Sequence, residues 1–162
     1  MDRLLHYISR KPWPLVWALG TVICFLALTQ GFAPPTGLPG IIELQLAFSL
    51  QRFNDILQAW GPEITDTYRQ TMWIDYIYAV MYGLTAASLI WLLGSKSGMK
   101  PQRVKLLACL PLIAAGFDWV ENGLHLVILN SAPTAGLVWT ASLAALVKWL
   151  LAAVFLVVIC YL

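Results

Sequence analysis

The sequence predicts an all-α integral membrane protein, a four-helix bundle with one additional amphipathic helix on its outer face. Three observations carry that expectation. Four apolar runs of spanning length are separated by loops rich in Gly, Pro and Ser. Of 162 residues, 60% are hydrophobic and 11% charged, against about 25% charged in a soluble domain. The third apolar run should hold no charge, yet it contains Asp118, Glu121, Asn122 and His125 at i, i+3, i+4 and i+7, one face of a helix.

The first run follows Arg3, Arg10 and Lys11 and predicts a span over 13–30. A secretory signal would look similar, with Gly31-Phe32-Ala33 as its small-residue end, but Pro34-Pro35 directly after that point disfavours cleavage. Pro12 and Pro14 suit an opening helical turn, where a missing N–H costs nothing. Residues 31–40 carry the Gly and Pro of a loop.

Segment 41–60 is too polar to span. Ile42, Leu46, Leu50, Phe53, Leu57 and Trp60 recur at helical spacing, with Glu43, Gln51, Arg52, Asn54, Asp55 and Gln58 on other faces. This predicts a surface amphipathic helix ended by Gly61-Pro62. The second span is expected over 72–93, the third over 104–129 and the fourth over 137–160. Each is long enough for a hydrocarbon core of about 30 Å. The whole chain reads as one membrane domain.

Lys and Arg set the expected orientation. Three lie in the N-terminal tail and four in the turn after the second span (Lys96, Lys100, Arg103, Lys105), whereas the 31–71 connection has Arg52 and Arg69 only. Both termini are therefore expected in the cytoplasm, in a multi-pass protein of the cell membrane.

Each of three spans also carries polar groups. Asp75, Tyr78 and Tyr82 share one face of the second. Lys148 interrupts the fourth, flanked on its own face by Ala141, Ala145 and Ala152, small residues that admit a neighbouring helix. Gly116 and Gly123 suggest the same on the third. Counted from the outer helix ends, Asp118 and Lys148 both lie about 16 Å deep. A charge at that depth costs about 2.5–3.5 kcal/mol on insertion scales, so these groups should face one another. Lys148 is expected to pair with Asp118, leaving Glu121 spare. The candidate binding residues are Glu43, Asp75, Tyr78, Tyr82, Asp118, Glu121, Asn122, His125 and Lys148.

Several chemistries lack their signatures. There is no basic stripe with interleaved aromatics outside the membrane, which argues against nucleic acid as a partner. Cys24, Cys109 and Cys160 fall in separate apolar runs without a Cys-x-x-Cys. Asp118, Glu121 and His125 could supply metal ligands, but one intramembrane histidine, no His-Glu-x-x-His and a nearby lysine speak against a metal. No serine has a Gly-x-Ser-x-Gly context, and no cofactor motif is present. The expected partners are membrane lipid and a small hydrophobic or cationic ligand. Three functions stay open: a site for a ligand, lipid, proton or cation open toward the outer leaflet; an intramembrane enzyme acting on a lipid or isoprenoid; and a structural or accessory subunit without ligand.

Trp73-Ile74-Asp75-Tyr76-Ile77-Tyr78 with Tyr82, Phe117-Asp118-Trp119-Val120-Glu121-Asn122, and Lys148-Trp149 together resemble a family of small bacterial four-helix membrane proteins. In it an Asp…Tyr helix, a Phe-Asp-x-x-Glu-Asn helix and a late lysine recur. The resemblance spans about residues 41–150. It implies the fold and the polar set; the family has no established activity. Its pattern places a proline about four residues after the aspartate of the second helix, where this chain has Ala79.

Overall fold

Helix ends fall where the local chemistry satisfies the first free N–H groups. Pro14 opens one long helix and Pro101 another. Ser49 Oγ accepts from the Arg52 amide at 3.2 Å, and Thr134 Oγ1 accepts from the Leu137 amide at 3.3 Å; each such cap contributes about 1 kcal/mol. The computed structural model describes residues 1–162 as six helices and no strand: α1 Asp2–Ile8, α2 Trp13–Gly31, α3 Ile41–Gln45, α4 Leu50–Lys96, α5 Pro101–Asn130 and α6 Ala135–Tyr161.

Three of these, α2, α4 and α6, are long and apolar enough to cross a membrane. At 30 residues α5 has the length, but it carries the charges of the polar run. It packs between α4 and α6, while α2 packs on α4 at the edge of the molecule. No residue of α2 is buried, and Leu15, Leu19, Val22 and Ile23 project outward. An all-round apolar helix with an open outer face suits lipid as its solvent.

The amphipathic segment differs from expectation. It is not one helix over 41–60: α3 stops at Gln45, and Phe48 takes a positive φ of 52° before α4 starts at Leu50. Tertiary contact explains the break, because the Phe48 amide donates to Ser142 Oγ on α6 at 3.0 Å. Downstream, Phe53, Ile56 and Trp60 are buried, whereas Gln51 and Asp55 are exposed. Ile42, expected on the apolar face, is exposed instead. α4 kinks at Gly61 (φ 71°, ψ 177°), just before Pro62, and is otherwise helical, including at Ala79.

α1 is an element that hydropathy did not foresee. Leu5 and Ile8 are buried against the Lys96 end of the bundle. Ser88 Oγ and Trp17 Nε1 both donate to the Ile8 carbonyl, at 3.1 and 3.2 Å. Lys105 reaches Asp2 at 2.9 Å, and this hydrogen bond holds the Asp2 carboxyl below its ordinary range.

The close approach of α4 and α5 rests on Gly83 and Gly94 and on Gly123, whose added Cβ would lie 3.3 Å from the Tyr76 hydroxyl, but not on Gly116. A Cβ at Gly83 would lie 3.0 Å from Ala115 Cβ and 3.3 Å from the Pro111 carbonyl oxygen, whereas open space surrounds Gly116. Two apolar layers result. One joins Phe53, Trp60, Tyr68, Met72, Ile128 and Val138; the other joins Leu5, Ala87, Ile90, Ala108, Ala114 and Phe155. On α4, α5 and α6 alike, the polar residues fall in sequence between those two layers.

Candidate functional site

The i, i+3 spacing of Asp118 and Glu121 points both carboxylates from α5 toward α6, where Lys148 enters from a face of buried alanines. Its Nζ lies 3.1 Å from Asp118 Oδ1 and 2.6 Å from Glu121 Oε2. All three side chains are almost wholly removed from solvent, at 7%, 4% and 0% exposure. Glu121 is therefore not the spare acid. The flexible lysine stem sets the ammonium between two acids one helical turn apart, so the expected Asp118 pair is half of a three-membered cluster. Lys148 donates a directed hydrogen bond to Asp118, whereas Glu121 makes a close ion contact without hydrogen-bond alignment.

The other predicted polar residues extend this cluster across α4. Tyr82 donates its hydroxyl hydrogen to Asp118 Oδ2 at 3.1 Å. Asn122 Nδ2 donates to Asp75 Oδ2 at 3.0 Å. His125 Nδ1 and the Tyr68 hydroxyl share a hydrogen bond of 2.8 Å. Glu121 Oε1, Asn122 Oδ1 and His125 Nε2 are buried without a hydrogen-bond partner. Of the three acids in this layer, Asp75, Asp118 and Glu121, Asp75 is the one that no lysine, arginine or histidine reaches.

Beside the cluster lies a cavity of about 470 Å³. Phe25 and Leu28 of α2, with Phe32 directly after it, form one wall and Ala152, Phe155 and Leu156 of α6 the other. Ile41, Ile42 and Gln45 of α3 also line it. Its polar floor is Asp75, Tyr78, Tyr82, Asp118 and Lys148. α2 packs on α4, and α6 on α5 and α4, which leaves the cavity between α2 and α6.

Glu43 does not join this site. Its carboxylate accepts from the Gly40 amide at 2.6 Å, caps α3 and lies 3.6 Å from Arg52 on the surface. The polar residue that α3 contributes is Gln45, buried and accepting from Trp149 Nε1 at 3.1 Å. Periodicity hid it, because 41–60 read as a continuous surface helix. Tyr68 was also missed, although 68, 75 and 82 are heptad-spaced and a longer window on that helix face would have found it. No group of three or more His, Cys, Asp and Glu side chains gathers around one point; the Lys148 ammonium occupies the space between the two α5 carboxylates.

Three helices long and apolar enough to cross a bilayer, with a buried ion cluster beside them, point to a helical membrane protein. No protein-family model, curated protein or solved structure matches the chain.

Proposed function

We propose that α2, α4, α5 and α6 each cross the cell membrane, with both termini cytoplasmic, and that the cavity between α2 and α6 binds a small amphiphile or lipid. The observation that carries this reading is the combination of apolar side walls with an ionic floor. An apolar body would lie between Phe25, Leu28, Phe155 and Leu156, with a polar head against Asp75, Tyr82 and Lys148. At about 470 Å³, the volume falls within the range of about 300–1,000 Å³ usual for ligand pockets. Access from the side, between two helices, suits a molecule already dissolved in the bilayer. In this orientation the α3 end faces outward, so the cavity belongs to the outer leaflet. The resemblance to small four-helix membrane proteins agrees with four spans and adds no activity.

The test is native mass spectrometry of the whole chain released from detergent micelles, with added membrane lipid. A stoichiometric adduct is expected on the wild type. It should be lost in Ala152→Trp, which fills the cavity from the α6 wall, while the helical content by circular dichroism is unchanged. An adduct equally present in both proteins, or absent from the wild type, would refute the cavity as a binding site.

A further inference from the structure

Resting on that reading, we infer that the ligand carries a positive charge and that Asp75 is its counter-ion: the cavity takes an amphiphile with an amine or quaternary ammonium head. The argument begins from a charge count. Three carboxyl groups, Asp75, Asp118 and Glu121, face the polar layer from α4 and α5. One lysine faces them from α6, and it is held by both α5 acids. His125, the only other basic group there, turns its Nδ1 to Tyr68 and is buried against Phe53. Asp75 is thus the acid left without a cation.

Asp75 is also the acid that a ligand can reach. It lines the cavity, and its one side-chain hydrogen bond, from Asn122, engages Oδ2. Its Oδ1 has no protein partner. Glu121 does not line the cavity, and Asp118 is already held by Lys148 and Tyr82. An anionic head is disfavoured, because the ammonium it would seek already meets two carboxylates. A neutral head would leave a carboxylate uncompensated in a poorly hydrated site.

The surrounding rings fit the same class of ligand. Tyr78 lies one turn from Asp75, with Tyr82 at 5.3 Å and Phe25 at 6.4 Å between ring centroids. All three line the cavity. Aromatic faces beside a carboxylate attract an alkylammonium group through the ring quadrupole. The apolar tail would pass between α2 and α6 toward the bilayer.

The experiment uses the whole chain in lipid nanodiscs with matched probes: dodecylamine, dodecyltrimethylammonium, dodecanol and dodecanoate. Binding is measured for the wild type, Asp75→Asn and Ala152→Trp. The two cationic probes should bind the wild type more tightly than dodecanol or dodecanoate. Asp75→Asn keeps a group that can face Asn122 but removes the charge. It should weaken dodecylamine binding about 10- to 100-fold, the range for losing a charged hydrogen-bond partner, weaken dodecyltrimethylammonium, which has no N–H, through loss of the counter-charge alone, and leave dodecanol unchanged. Ala152→Trp should abolish all four. Equal binding of dodecanol and dodecylamine, or cationic binding unaltered in Asp75→Asn, would overturn the assignment of Asp75 and leave the cavity standing. Failure of every probe on the wild type would instead refute the cavity reading. The headgroup preference of the unmutated chain is decisive even if Asp75→Asn does not fold.

Discussion

Replacing Lys148 by methionine should be among the most damaging single changes in this chain. Methionine retains the length and apolar stem of lysine, so packing against Ala141 and Ala145 survives and the ammonium alone is lost. Two buried carboxyls are then left facing each other without a cation. Asp118 keeps the Tyr82 hydroxyl at 3.1 Å, whereas Glu121 keeps nothing, since its Oε1 has no partner and its Oε2 contacted only Lys148. Breaking one partner out of a buried ion pair costs about 3–5 kcal/mol, and removing the whole group is often tolerated. Because the cluster has three members, the double change Lys148→Met with Asp118→Leu should recover only part of the loss. The triple change that adds Glu121→Leu should recover most of it. Glu121→Gln alone should be milder, about 1–3 kcal/mol, because Lys148 still donates to Asp118. The assay is reversible unfolding of the purified protein in mixed micelles, followed by tryptophan fluorescence. Full recovery in the double variant would mean that Glu121 contributes nothing to the cluster. Strictly additive losses across the series would show that the three groups are not coupled, since contacting residues deviate from additivity by about 0.5–3 kcal/mol.

A reporter fused after Leu162 should report a cytoplasmic location, because seven Lys and Arg lie at the α1 and α4–α5 turn end against Arg52 and Arg69 at the other; an external signal would invert the proposed cavity. Gly83→Leu should push α4 from α5 at Ala115 and Pro111, with a cost of about 1–3 kcal/mol from overpacking, while Gly116→Ala, in open space inside α5, should raise the unfolding midpoint slightly, since alanine gains about 0.5–1 kcal/mol over glycine within a helix. Asp2 has a lowered carboxyl pKa through its hydrogen bond to Lys105, so the tether holding α1 is complete above the unfolded value of about 3.9 and is lost as pH falls through the lower folded value. Hydrogen exchange in α1 should therefore be faster in Asp2→Asn than in wild type at neutral pH, with the difference vanishing in strong acid; an equal difference at both would show that Asp2 acts otherwise than by charge.

Much of the architecture was legible because it follows from composition and period. Hydropathy locates α2, α4 and α6 without tertiary information, since an apolar run of that length has few stable alternatives to a helix. Pro12 and Pro14 mark the start of α2, whereas Gly61-Pro62, expected to end a helix, only kinks α4. The i, i+3, i+4, i+7 spacing on α5 puts Asp118, Glu121, Asn122 and His125 on one face for purely geometric reasons. The small residues around Lys148 likewise announce a lysine directed at another helix.

Period and composition do not say which groups meet across helices. That depends on crossing geometry and on side-chain reach, and neither is written along one strand of sequence. Lys148 lies level with Asp118 by residue count, yet its flexible stem also brings it to Glu121, and that leaves Asp75 as the unpaired acid. Glu43 looked like a member of the polar set and is instead a cap for α3, while Gln45, two residues on, is turned inward. The hydrogen bond from Phe48 to Ser142 that accompanies this break joins residues 94 positions apart. α1 packs through Leu5 and Ile8, too few apolar residues to register as a span. The cavity belongs wholly to the tertiary structure, because it is the space left when α2 and α6 both pack on α4. The sequence alone determined the long apolar helices and the face on which each carries its polar groups, through fixed helical repeat and hydropathy; long-range packing decided the short helices α1 and α3, the partners of the polar groups and the space beside them.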